Sequence, residues 1–336
     1  MANLFIVRTP MQIVSALEAM DYFQTSDNIL VIIHNRKKNN LQQIQRVMEL
    51  FDLHHLFDEI MEVHHHRQSK FFLLLNLIQT LKRRTYETLF LGLYDSMGRL
   101  FLSNLIYRNA YLIDDGTATI IAHHRIVNSM KTHTVGLKAL RARLFGLRLH
   151  HHNAPLGFFT LFQLPQYAQE PIITHRFAYL KRHFSQPHKY SNIIYLLGQN
   201  ITDVPIVSKE KYLCYIQQIL EKYPDHDIVY IPHRAETLHQ ELQTLPNRRF
   251  TIQKTTLPIE LYFLMHRIYP THVISFFTSA LYTLNILFEN STIESFNIAL
   301  EDIESHHNSV MQCQEFLKTT SVIHSPLQRY NDCKML

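Results

Sequence analysis

In Leu4-Phe5-Ile6-Val7-Arg8-Thr9-Pro10-Met11-Gln12 an unbroken apolar run stops at a polar turn, and a helical pattern begins. Consecutive apolar residues without alternation are the mark of a strand buried on both faces. Thr9 suits a helix N-cap, and Pro10 suits the first helical turn, where its missing N–H is not needed. From Met11 to Phe23 apolar residues recur at helical spacing. The rhythm then repeats, with short apolar runs at residues 29–33, 59–63, 89–93 and 111–113 and helical patterns over 41–51 and 71–81. Strand–helix alternation of this kind predicts an α/β fold with a parallel sheet covered on both sides.

Residues from about 150 to 188 break the rhythm with several prolines and a local excess of His and aromatic residues. It resumes with strands predicted at 193–197, 228–231, 249–252 and 272–275, and helices at 208–222, 258–266 and 278–288. The expected division is a domain over residues 1–155, a connection over 156–190 and a second domain over 191–336. Two open α/β sheets in tandem imply an interdomain cleft, with ligands at the carboxyl ends of the strands. There is no GxGxxG and no GxxxxGK[ST], so neither a dinucleotide fingerprint nor a P-loop is supported.

The chain has 336 residues, of which 46% are hydrophobic, enough for two full cores. A formal charge of +5 suits an anionic ligand or membrane face and is too small to argue for nucleic acid. Cys214, Cys313 and Cys333 lie far apart, which speaks against a disulfide framework or a cysteine zinc site. The N-terminus lacks the charged and cleavable regions of a signal peptide, and no apolar stretch is long and clean enough to span a bilayer. A soluble cytoplasmic protein is therefore expected. Lys138, Arg141, Arg143 and Arg148, interleaved with leucines, read either as a solvated helix face or as a peripheral contact with anionic lipid.

Four polar segments follow predicted strands: Asp114-Asp115-Gly116-Thr117, Leu197-Gly198-Gln199 with Asp203 behind it, Pro232-His233-Arg234, and Ser275-Phe276-Phe277-Thr278-Ser279. His233 could donate to a phosphate or cap a strand. Asp203 could deprotonate an alcohol or make a turn. Thr278 and Ser279 could bind phosphate at a helix N-terminus or serve as an ordinary cap. Asp114 and Asp115 could bind sugar hydroxyls, hold a metal or form a turn with Gly116, and adjacent side chains of an extended segment diverge. Glu260, in a first helical turn, could accept from ribose hydroxyls or complement the helix dipole. The histidine clusters 64–66, 123–124, 150–152 and 306–307 lack HExxH spacing, and no metal is expected.

These segments together resemble the bacterial lipooligosaccharide sialyltransferases of glycosyltransferase family 52. The resemblance rests on Ile113-Asp114-Asp115-Gly116-Thr117, Leu196-Leu197-Gly198 followed by an acid, Pro232-His233, Ile259-Glu260, Phe276-Phe277-Thr278 and the opening segment through Gln12. It implies a GT-B architecture of two Rossmann-like domains and inverting, metal-independent transfer of sialic acid from CMP-sialic acid to a galactoside of a glycolipid, without a cofactor. By motif it implies Asp203 as the base and His233 as the group neutralising departing CMP. Donor contacts would come from Gly198, Arg234, Glu260, Ser275, Thr278 and Ser279. Gln12, Asp114, Asp115 and Gly116 would lie on the acceptor side or serve structure, and the family implies a homodimer. The alternatives are a GT-B transferase using another nucleotide sugar, or a non-catalytic sugar- or nucleotide-binding protein, since fold does not fix function.

Overall fold

The computed structural model describes residues 1–336 except 35–37, 65–69, 117, 130–142, 149–155, 167–169, 187, 246–248 and 331–336. The chain forms two compact units, Met1–Arg182 and His183–Leu336.

The first unit is built on a seven-stranded sheet in the order β3-β2-β1-β4-β5-β6-β7, every neighbour parallel. Its strands are β1 (Ala2–Val7), β2 (Asn28–Ile33), β3 (Glu59–Val63), β4 (Thr85–Leu91), β5 (Ile106–Ile113), β6 (Gly157–Thr160) and β7 (Ile172–Thr174). The interior strand β2, next to the edge, is buried along its whole length, which is why its sequence runs apolar without alternation. The edge strand β3 is mostly half-exposed and carries Glu59 and Glu62, charges that discourage pairing with another chain. The helix Pro10–Phe23 starts as expected, with the Thr9 side chain accepting from the Gln12 N–H. Under it, Phe5 stacks on Phe90 at 4.5 Å, and Phe23 packs against Phe90, Tyr111 and Phe159. In a chain without Trp, this aromatic layer supplies the bulk on one face of the sheet.

The connection expected over 156–190 needs correction. Strands β6 and β7 extend the first sheet, and the helix Ala178–His183 is tied to this unit because Glu18 accepts from the backbone N–H groups of Tyr179 (3.0 Å) and Leu180 (2.9 Å). Strands of four and three residues are too short to show a period, and the prolines around them read as linker.

The second unit carries a six-stranded parallel sheet in the order β10-β9-β8-β11-β12-β13. These are β8 (Lys189–Leu197), β9 (Ile228–Ile231), β10 (Phe250–Ile252), β11 (Ile268–Ser275), β12 (Thr292–Asn297) and β13 (Ile323–Pro326). The strand order reverses direction between β8 and β11. The carboxyl ends of the two strands at such a switch point are the usual ligand position in an open sheet.

A polar cluster anchors β12. Buried Glu294 accepts from Lys222, Tyr223, Ser325 and His272. Burial pushes its pKa up, but the hydrogen bonds from His272, Lys222, Ser325 and Tyr223 outweigh it and hold the carboxyl at about 2. A carboxyl depressed in the folded state stabilises the fold above its unfolded pKa and ceases to as pH falls through the folded one. The second unit should therefore lose stability between about pH 4.5 and about pH 2, and Glu294→Gln should flatten that slope in acid unfolding followed by circular dichroism.

Candidate active site

Two of the sequence-predicted residues tie together the carboxyl ends of β8, β9 and β11 in the second unit. The buried Ser275 hydroxyl donates to the Leu197 carbonyl (2.7 Å) and staples β11 to β8. Gly198 donates its N–H to the Ile231 carbonyl (2.9 Å), carrying the ladder on to β9. A Cβ on Gly198 would run into the Glu236 carboxylate and the Tyr230 hydroxyl, so any other residue would have to displace that pair. Gln199 is buried beside it, its Oε1 accepting from the Phe277 N–H (3.1 Å). Both loops leaving the switch point are thus pinned to each other.

His233 stands just past β9 and is exposed. Its Nδ1 accepts from the Ala235 N–H (3.2 Å), and its carbonyl accepts from the Glu236 N–H (2.9 Å). An Nδ1 that accepts places the proton of the neutral ring on Nε2, the nitrogen able to donate outward. The His233 N–H in turn donates to Glu236 Oε2 (2.9 Å).

Sequence reasoning misses Glu236. Its other oxygen accepts from the Tyr230 hydroxyl and from the Tyr212 hydroxyl (3.4 Å), and the two tyrosines are 2.8 Å apart. Burial pushes the Glu236 carboxyl up to about 7, against the hydrogen bonds it accepts, and nearby Asp203 adds to the rise. The one signal available was an acid three residues after His233 in a tight turn, the spacing that lets a side chain reach back to a backbone N–H.

Asp203 is also exposed and is drawn to the same turn. Its Oδ2 accepts from the Thr237 N–H (2.8 Å). The side-chain nitrogen of Asn200 bridges Asp203 Oδ2 and the Ala235 carbonyl (3.0 Å). Thr202 Oγ1 and His239 Nε2 lie 3.0 Å apart, closing the far end. The loops over 199–203 and 232–239 are zipped together, and Asp203 and His233 share one rim at the end of β8 and β9.

The opposite rim follows β11. Thr278 caps the helix Ser279–Leu287, its hydroxyl accepting from the Ala280 N–H (3.3 Å), and Ser279 is the first helical residue. Glu260, on the helix Ile259–Met265, is buried and accepts from the Thr283 hydroxyl on the neighbouring helix. Burial raises its pKa, while the Thr283 bond and the positive charge of Arg234 oppose the rise. Arg234 therefore lies within electrostatic reach of Glu260, which links the His233 turn to this rim.

The remaining sequence-predicted residues belong to the first unit. Gln12 is fully buried and clamps two turns, accepting from the Arg8 N–H (2.6 Å) and donating to the Gly92 carbonyl (2.8 Å). Asp114 and Asp115 diverge as their adjacency implies. Asp114 is buried and accepts from the Thr160 hydroxyl and the Leu161 N–H, both at 2.6 Å. His175 lies between Asp114 (3.6 Å) and Glu18 (3.9 Å), stacked flat on Phe159 at 4.4 Å. Asp115 instead faces Thr9, whose hydroxyl lies 3.4 Å from its Oδ1, and Gly116 takes a left-handed φ of 60° to turn the chain. Gln12 and Asp114 are thus framework residues of this sheet end, while Asp115 stands at its edge. Thr117, and Lys138 and Arg141 of the basic stretch, lie outside the described residues. No helix among the described residues is long and apolar enough to cross a membrane.

No family model and no curated protein sequence matches the chain. Among solved structures it is similar to the E. coli heptosyltransferase WaaC with ADP, at 11% identity and a TM-score of 0.43, over 95% of this chain and 98% of that one. It is also similar to the spinosyn rhamnosyltransferase SpnG, complexed with spinosyn aglycone (12% identity, TM-score 0.42) and with thymidine diphosphate (11%, 0.44), each over 95% of this chain and 90% of the other.

Proposed function

We propose that the chain is a GT-B glycosyltransferase that moves sialic acid from CMP-sialic acid to a galactoside hydroxyl of a surface glycolipid, with inversion and without a metal in the transfer step. The observation that carries this reading is the shared rim of Asp203 and His233, joined through the 235–237 backbone at the ends of β8 and β9, beside the topological switch point.

In this reading the nucleotide lies across the carboxyl ends of β8 and β11. Thr278, Ser279 and the backbone N–H groups of that helix start face its phosphate. Arg234 balances the phosphate charge, and Glu260 orients the ribose. The bond between the sialic acid anomeric carbon and the CMP oxygen breaks as the acceptor oxygen closes on the opposite face. The acceptor proton passes to Asp203. The charge appearing on CMP is met by the proton on His233 Nε2, so the leaving group departs neutralised. The sugar's own carboxylate weakens the breaking bond, so placement and leaving-group neutralisation carry the catalysis. A homodimer with peripheral membrane contact would suit a lipid-borne substrate.

A ligand of the folded state raises the melting temperature. CMP is expected to raise it and UDP at equal concentration to leave it nearly unchanged, as read by differential scanning fluorimetry. The reverse order would assign the site to a UDP-sugar.

A further inference from the structure

We propose that His34, Glu62 and His64 form a divalent-cation site of zinc type at the edge of the first sheet. Strands β2 and β3 run parallel with Ile33 opposite Val63, and the His34 N–H donates to the Val63 carbonyl (3.0 Å). His34 and His64 are therefore the first residues past two strand ends in register. Glu62, on β3, and His64, just past its end, are two apart in extended chain, which brings their side chains to one side. The consequence is visible in the side chains. The two imidazoles stack at 4.3 Å with 6° between their planes. Glu62 Oε2 lies 2.7 Å from His34 Nε2 and 3.8 Å from His64 Nε2. Two ring nitrogens thus converge on one carboxylate oxygen.

Two imidazoles and a carboxylate are a three-ligand set for Zn²⁺ that leaves a fourth position open. That position has room, because the three residues line a cavity of about 570 Å³ that Asp52 and His54 also border. The ion would replace the proton now shared between His34 Nε2 and Glu62, releasing it to solvent. His34 is held only at that end: its side chain is 3% exposed, and its Nδ1 meets no hydrogen-bond partner. The site is absent from any sequence motif because its ligands come from two strands and their ends, with His34 and Glu62 28 positions apart. It braces the edge strand β3 and takes no part in the transfer chemistry proposed above.

The test uses the full chain freed of metal with chelator and titrated with Zn²⁺ in a calorimeter and with Co²⁺ in the visible spectrum. One Zn²⁺ per chain is expected, with the intense cobalt bands of a four-coordinate ion and a rise in melting temperature on binding. Glu62 and His64 are exposed, so Glu62→Gln and His64→Ala should fold normally without metal. Each should weaken binding by more than the roughly 10–100-fold that loss of an outer-shell partner costs. A His306→Ala/His307→Ala variant should bind as the parent does. Zinc uptake unchanged in both site variants, or cobalt spectra typical of a six-coordinate surface ion, would overturn the proposal.

Discussion

His233→Ala and Asp203→Ala should each lower kcat by about 10²–10⁴-fold, the contribution of one positioned acid or base. Both side chains are exposed, so neither substitution opens a cavity. The structural cost of losing Asp203 is two exposed bonds, from the Thr237 N–H and the Asn200 side chain, worth about 0.5–1.5 kcal/mol each. That is small beside the catalytic effect, and Asp203→Asn separates the two. The amide keeps an oxygen for Thr237 and Asn200 holds the loop, yet an amide cannot accept the acceptor's proton. Asp203→Asn should therefore melt like the parent and turn over as slowly as Asp203→Ala. For His233, loss of the ring removes the Nε2 donor while leaving the Ser275 staple and the Glu236 anchor in place. Steady-state kinetics with CMP-sialic acid and a galactoside, with melting temperature as the control, read both effects. Near-normal turnover in the two alanine variants would remove these roles.

The largest stability effect should come from Asp114→Ala in the first unit. Asp114 is the acceptor for two buried donors, the Thr160 hydroxyl and the Leu161 N–H, and sits beside buried His175. Alanine leaves both donors without a partner in the core. An unmet buried donor costs about 1–3 kcal/mol, so a loss of about 3–5 kcal/mol is expected for the unit. Asp114→Asn should cost less than alanine, because one oxygen still accepts, but its NH₂ group must face one of the two donors. Urea unfolding monitored by circular dichroism measures both. A loss under about 1 kcal/mol for alanine would mean that water reaches Thr160 and Leu161, and that Asp114 is free to meet a ligand.

The parts of this fold that could be read from sequence are those where burial is two-sided and turn chemistry is local. β1 and β2 announce themselves as unbroken apolar runs, and Thr9-Pro10 marks a helix start because the cap is a local event. β6 and β7 escaped because pairing partners far along the chain, not their own pattern, make them strands. β12 escaped because its buried polar residues, Glu294 and Ser295, hide a core strand under a polar sequence. The same logic divides the site. Asp203 and His233 are legible as polar residues after strands. Glu236 is not, since its role depends on Tyr212 and Tyr230 arriving from elsewhere. Ser275 reads as a ligand hydroxyl, and its bond to the Leu197 carbonyl, a contact no sequence pattern shows, staples two strands.

The central claim is that one imidazole and one carboxylate at the end of the second sheet pass sialic acid from CMP to an alcohol. Its most direct test is to incubate the purified chain with CMP-sialic acid, a panel of galactosides and chelator, and to quantify free CMP and sialylated product by mass spectrometry. The reading predicts both products in equal amounts, dependent on the acceptor. No sialylated galactoside, with CMP-sialic acid recovered intact, would contradict it.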